Sequence, residues 1–246
     1  MARPRPHLAK APIVEALIDF RVSPQAQMAV DELGSMSAEV GMEYSKKEQI
    51  NVFSTRLDLN EGRLHQSAAA HSKVGWLYKS QNQVAQFRLD GFTFSRLEPY
   101  TTWGEVFEEA MRLWRVYVQK TQPAQISRIA VRYINRMEHE GPAALNMFLT
   151  APPALPEPSP QTIRDFLCRI NVDDSARNAS ATVIQALEPQ VKPSAISLLL
   201  DIDAYRDRLT LDPNDPSIPR MFESLRQLKN DIFFACITER TAEIYQ

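Results

Sequence analysis

Glycine is scarce, with seven residues in a chain of 246. Glycine-rich phosphate loops are therefore not expected, and neither GxGxxG nor GxxxxGK[ST] occurs. HExxH, CxxC and GxSxG are also missing, which removes the commonest zinc, redox and serine-hydrolase signatures. No apolar run approaches the roughly 20 residues that a spanning helix needs, so no membrane partner is expected. Cysteine is limited to Cys168 and Cys236, both in apolar patterns, which reads as buried thiols in a reducing cytosol. The basic N-terminus, MARPRPHLAKAP, has no following apolar block, so no secretory signal is read there and the expected location is cytoplasmic. Neither charge sign dominates: the net charge of -2 gives no global reason to expect nucleic acid.

What is present is a core-forming composition, 44% hydrophobic, and one unusual stretch, ISRIAVRYINRM, from Ile126 to Met137. Its period of two marks a strand. Ile129, Val131, Tyr133 and Met137 are placed on one face. Arg128, Arg132 and Arg136 are placed on the other, with Ile126, Ala130 and Ile134. PIVEALIDFRV, 12 to 22, alternates in the same way. Val14, Ala16, Ile18, Phe20 and Val22 face a core, while Glu15, Asp19 and Arg21 share the second face with Ile13 and Leu17.

Taken in order, residues 1–11 read as an extended, proline-bearing arm. A helix capped at Ser23-Pro24 is expected to run to Gly41. Strands follow over 43–59, 63–79 and 83–97, the last a long strand or a bent one with Gly91 as a bulge, with turns at Asn60-Glu61-Gly62 and Ser80-Gln81-Asn82. Thr102 and Glu105 form a capping box before a helix with an aromatic stripe through Trp103, Phe107, Trp114 and Tyr117. After the arginine strand come a short helix at 142–149, the irregular PPALPEPSP (152–160), and strands near 161–172, 179–188 and 194–205. A last helix carries Ile218, Met221, Phe222, Leu225, Leu228, Ile232 and Phe233 on one stripe.

The fold class expected is α+β. Two tandem β-α-β-β(-β)-α halves, 12–120 and 121–246, form one curved antiparallel sheet with helices on one face, a TATA-binding-protein-like topology. The face opposite the helices gathers Glu15, Asp19, Arg21, Arg128, Arg132, Arg136, Asp201 and Asp203, with Arg88 and Asp90 joining from the strand at 83–97. Matched signs predict cross-strand ion pairs. The same arginines are suited to a carboxylate or phosphate on a partner. Asp201 and Asp203 could hold Mg²⁺, although nearby arginines would neutralise them. His7, His65, His71 and His139 are scattered and make no metal spacing.

Four segments carry a resemblance: PIVEA (Pro12–Ala16), the phenylalanine strand leading to Trp103 (Phe92–Trp103), RIAVRYINRM (Arg128–Met137), and LDID (Leu200–Asp203). The chain resembles a sporadically distributed, uncharacterised prokaryotic protein family with PIVEA and RYINR strand motifs. Asn135 falls among that family's most specific residues. The resemblance implies genes on mobile or defence-linked islands and a regulator, inhibitor or accessory subunit. The resulting expectation is a non-enzymatic protein-interaction module without a cofactor. Its partner would be another protein, such as a toxin, a nuclease or a CRISPR-type effector. The alternatives are a nucleic-acid or nucleotide binder using the arginine strand, and a metal-dependent nuclease centred on Asp201 and Asp203.

Overall fold

The computed structural model describes residues 8–24, 28–60, 63–140, 144–160, 163–188 and 195–246. Among these residues, nine strands build one antiparallel sheet. β1 (Ile13–Ser23) precedes a 3₁₀ turn (Val30–Ser35) and the single-turn α1 (Ser37–Val40). Then come β2 (Lys46–Asn60), β3 (Arg63–Lys79), β4 (Gln83–Arg88), β5 (Gly91–Leu97) and α2 (Trp103–Thr121). β6 (Gln125–Glu140), a 3₁₀ turn (Leu145–Met147), β7 (Phe166–Asp174), β8 (Ala179–Leu187) and β9 (Ala195–Arg206) follow. The chain closes with α3 (Ile218–Cys236) and α4 (Glu239–Ile244). The spatial order is β2-β3-β4-β5-β1-β6-β9-β8-β7. β1 and β6 lie side by side at the seam. Each is followed outward by the last strand of its own segment.

The alternation in β1 turns Ala16, Ile18, Phe20 and Val22 inward, and all four are buried. Phe20 stacks on Trp114 of α2, with ring centroids 3.9 Å apart and planes 4° apart. It also meets Phe222 of α3 edge-on at 5.0 Å. One strand residue therefore joins both long helices, which places them on the same sheet face. Thr102 caps α2 by accepting from the Glu105 backbone N–H at 3.3 Å. No helix of the described residues is long and apolar enough to cross a membrane.

Several expectations need correcting. The helix read from Ser23 to Gly41 is a 3₁₀ turn and one α turn, and Ser23 itself belongs to β1. The single strand over 83–97 is a hairpin that turns at Leu89 and Asp90, with Arg88 opposite Gly91. Gly91 is therefore no bulge. A Cβ there would sit 2.2 Å from the Phe20 carbonyl oxygen, so the residue permits close approach of β5 to β1. Of the region read as a helix over 142–149, residues 142–143 lie outside the described residues, and among the rest only Leu145–Met147 is helical; α4 is a further helix beyond those expected. The turn at Asn60-Glu61-Gly62 involves residues 61–62, which lie outside the described residues.

Ile13 and Ile126 also change sides. Pairing between β1 and β6 skips Val14 and skips Ser127, leaving register shifts at both ends of the seam. Each extra residue reverses the alternation. Ile126 is thereby fully buried in the core, and Ile13 packs against that core.

Candidate functional site

The second sheet face carries the charges, and its geometry follows from register. Asp19 of β1 lies beside Thr93 of β5 and Ala130 of β6. Its carboxylate is a hub. Oδ1 accepts from Thr93 Oγ1 at 2.6 Å and from Arg88 Nη2 at 3.5 Å. Oδ2 accepts from Arg128 Nη1 at 3.1 Å and lies 3.3 Å from Arg21 Nε. Three guanidiniums thus converge on one largely buried carboxylate. Asp90 and Asp203 balance the remaining charge. Asp90 takes Arg88 Nε at 3.3 Å and Arg21 Nη1 at 3.5 Å, and Asp203 takes Arg128 Nη2 at 2.7 Å.

Two glycines make this packing possible. Gly75, Arg88, Gly91, Arg21 and Arg128 form one row across five strands. Like charges directly opposite each other repel, and glycine separates two of the arginines. A Cβ on Gly75 would meet the Arg88 Cγ at 2.9 Å, and one on Gly91 would meet the Arg21 Cδ at 3.3 Å. The arginine stems lie over those positions, against the sheet.

Farther along the seam the pairs are diagonal. Arg132 faces Asp203 in register but bonds Asp201 through Nε at 2.9 Å and Nη2 at 2.6 Å, a bidentate fork. Asp201 keeps only 6% side-chain exposure against 43% for Arg132, so the carboxylate is the committed member of this pair. Its hydrogen bonds hold the Arg132 guanidinium pKa above the ordinary arginine value. Arg136 grips Glu188 through Nε at 2.9 Å, and the guanidinium holds that carboxyl below its usual range. Asp203 goes the other way. Burial raises its pKa, and the neighbouring Arg128 and Arg132 only partly oppose this. Glu15 stands at the edge of the group, opposite Ile134, and contributes a weaker electrostatic attraction to Arg132.

The structure therefore brings Asp19, Arg21, Arg128, Arg132, Asp201 and Asp203 into one connected field. Arg136 is tied instead to Glu188. Thr93 and Glu188 escaped the sequence reading: both are partners whose only signal is register with a strand far away in the chain. Chemically, the face offers carboxylates that arginines already hold, and guanidiniums that carboxylates already orient. Among the described residues, no group of three or more His, Cys, Asp or Glu side chains could hold a metal ion. His139 packs on Phe148 with centroids 5.3 Å apart. His7 lies outside the described residues, as do the side chains of His65 and His71.

A different feature marks the sheet margin. Among the described residues, β7 is an edge strand, paired only with β8. Leu167 is 75% exposed, Ile170 48% and Val172 39%. The opposite margin, β2, begins with Lys46-Lys47-Glu48-Gln49, all exposed, a composition that discourages strand addition. Compared with known proteins, the chain matches no family model and no curated protein.

Proposed function

We propose that the chain is a non-enzymatic protein-interaction module of a regulatory or accessory kind, and that it engages its partner by strand addition at β7. The observation that carries this reading is the open, apolar β7 edge. A lone strand margin presents unpaired N–H and C=O groups, and exposed Leu167, Ile170 and Val172 do nothing to block a second strand.

Charge selects the occupant. Ile170 and Val172 sit beside Val183 and Ala181, on the helix-covered side of the sheet. Arg169, Asn171 and Asp173 point to the other side. An antiparallel strand centred on Asn171 needs an acid opposite Arg169, a base opposite Asp173 and an apolar residue opposite Ile170. A second copy of β7 supplies all three: its own Asp173, Arg169 and Val172. The partner is thus a second copy of this chain, and the pairing continues one sheet into the next.

The charged face is read as a scaffold, since each of its arginines is held in an ion pair. That favours the interaction reading over both the nucleic-acid and the metal-nuclease readings. The side-by-side placement of β1 and β6 supports a TATA-binding-protein-like arrangement of two halves, which belongs to the same proposal. The resemblance of the PIVEA and RYINR strands supports a role in a mobile-element or antiviral-defence locus, with a cytoplasmic location.

Sedimentation equilibrium tests the reading. The wild type is expected to dimerise, Arg169→Asp to be monomeric, and Arg169→Asp combined with Asp173→Arg to dimerise again. A wild type that stays monomeric at its highest soluble concentration sinks it, as does a dimer indifferent to the swap. Capture of a foreign strand by a monomer would move the edge to a different partner.

A further inference from the structure

On the helix side of the seam, a cavity of about 620 Å³ opens between the start of α2, the middle of α3 and the stretch Leu8–Ala11. Its size falls in the range of small-molecule sites, roughly 300 to 1,000 Å³. Four separate segments build it: Leu8–Ala11 with Ile13, Glu98–Trp103, Tyr133 with Asn135, and residues of α3 from Arg226 to Phe234. None of its residues belongs to the charged face or to β7.

The polar groups in it converge, and they are rich in protons to donate. Tyr100 and Tyr133 hydroxyls lie 3.1 Å apart in a mutual hydrogen bond. Such a pair spends one of its two protons internally and has one left to give. Burial raises both phenol pKa values, so both remain neutral donors near neutral pH. The Lys229 ammonium sits 3.8 Å from the centre of the Tyr133 ring, on a largely buried side chain. Arg226 lies over the Trp103 ring at 5.7 Å. Glu223 takes its Nε and Nη2 edge at 2.9 and 2.8 Å, and the Nη1 edge meets no carboxylate among the described residues. Among the lining side chains Lys10, Arg226 and Lys229 are cationic and Glu98 is anionic. The positive end of the α2 macrodipole adds to the same sign. Around these groups stand flat and apolar surfaces: Trp103, Phe233, Phe234 and Ile13.

A cleft lined in this way favours a ligand with several acceptor atoms, negative charge and a planar apolar body. We propose that the cavity binds an aromatic carboxylate, its head at Lys229, Arg226 and the Tyr100–Tyr133 pair and its ring against Trp103. This assignment is independent of the β7 edge, and Ile170→Lys should leave it unchanged.

The test uses 2-naphthoate and its uncharged isostere 2-naphthamide on the full chain, followed by calorimetry and by the Trp103 indole N–H resonance. That resonance is assigned with Trp103→Phe. Naphthoate is expected to bind at least about tenfold more tightly than the amide, the scale of one charge-assisted hydrogen bond. Tyr133→Phe removes one oxygen and should weaken naphthoate about tenfold and the amide, whose carbonyl accepts a weaker neutral hydrogen bond, by less. Lys229→Met should erase the preference for the acid. Absence of naphthoate binding to the wild type overturns the proposal. So does equal affinity for acid and amide, or binding that Tyr133→Phe leaves intact. Should Lys229→Met not fold, the Tyr133→Phe result decides.

Discussion

Asp19 and Phe20 are neighbours in β1 and live on opposite faces of the same sheet. Phe20 is fully buried and joins two helices through ring contacts that need no partner charge. Asp19 is largely buried too, yet its carboxylate is held by guanidiniums and the Thr93 hydroxyl. The contrast teaches that these two faces fail differently. Removing apolar atoms opens a cavity whose cost depends on how far the surroundings collapse. Removing one ion strands the others, and the cost lies in what is left unpaired.

The largest effect should come from the apolar side. Phe20→Ala is expected to lower stability by about 3–5 kcal/mol in urea unfolding, loosening α2 and α3 together. A loss confined to one helix would break the view of Phe20 as their common anchor. Next comes Asp19→Ala. It leaves Arg21, Arg88 and Arg128 crowded without their shared carboxylate, for a loss of about 2–3 kcal/mol given their partial exposure. If Asp19→Ala costs as little as a surface change, the hub is ornamental and the comparison fails.

The Arg132–Asp201 pair sharpens it. Arg132→Met alone should cost about 1–3 kcal/mol by stranding the buried Asp201 carboxylate. Adding Asp201→Leu should recover most of that loss, because a well-packed apolar pair can replace an ion pair. Persistent loss in the double variant would assign the pair a contribution of its own.

Smallest is the Arg136–Glu188 contact. Both side chains are partly exposed, so Arg136→Ala should cost less than about 1 kcal/mol and shrink further in salt. Its signature is pH. The Glu188 carboxyl is held low in the folded chain. Its contribution is therefore present above the unfolded value near 4.3 and lost as pH falls through the folded one. Asp203 has the opposite sign: burial raises its folded pKa, so its contribution is present at low pH and lost as pH rises through that folded value. Acid titrations of Glu188→Gln and Asp203→Asn should therefore differ from wild type in opposite directions.

Much of this was legible in the chain. Alternation in β1 and β6 placed Phe20 inside and Asp19 outside, because period two is a local property of a strand. The aromatic stripe and Thr102 cap of α2 were equally local. The hairpin at Leu89-Asp90 was missed because the alternation runs on through Phe87, Arg88, Leu89 and Asp90 and hides the reversal. Ile13 and Ile126 were placed on the wrong face because a bulge is set by the neighbouring strand. Glu188 as the partner of Arg136 is a fact of register. The cavity was invisible for a stronger reason: Tyr100, Tyr133 and Lys229 come from three segments with no shared pattern.

The two bulges at Val14 and Ser127 have a mechanical meaning. They work as end stops on a sliding joint. Between them the β1–β6 seam has one allowed reading frame, and any slip by one residue would turn Asp19 toward Trp114 and Phe20 toward the arginines. Deleting a residue between the stops, such as Ile129 opposite Phe20, should thus act like a frameshift in three dimensions. Deletion of an exposed residue in the 152–160 loop should pass almost unnoticed.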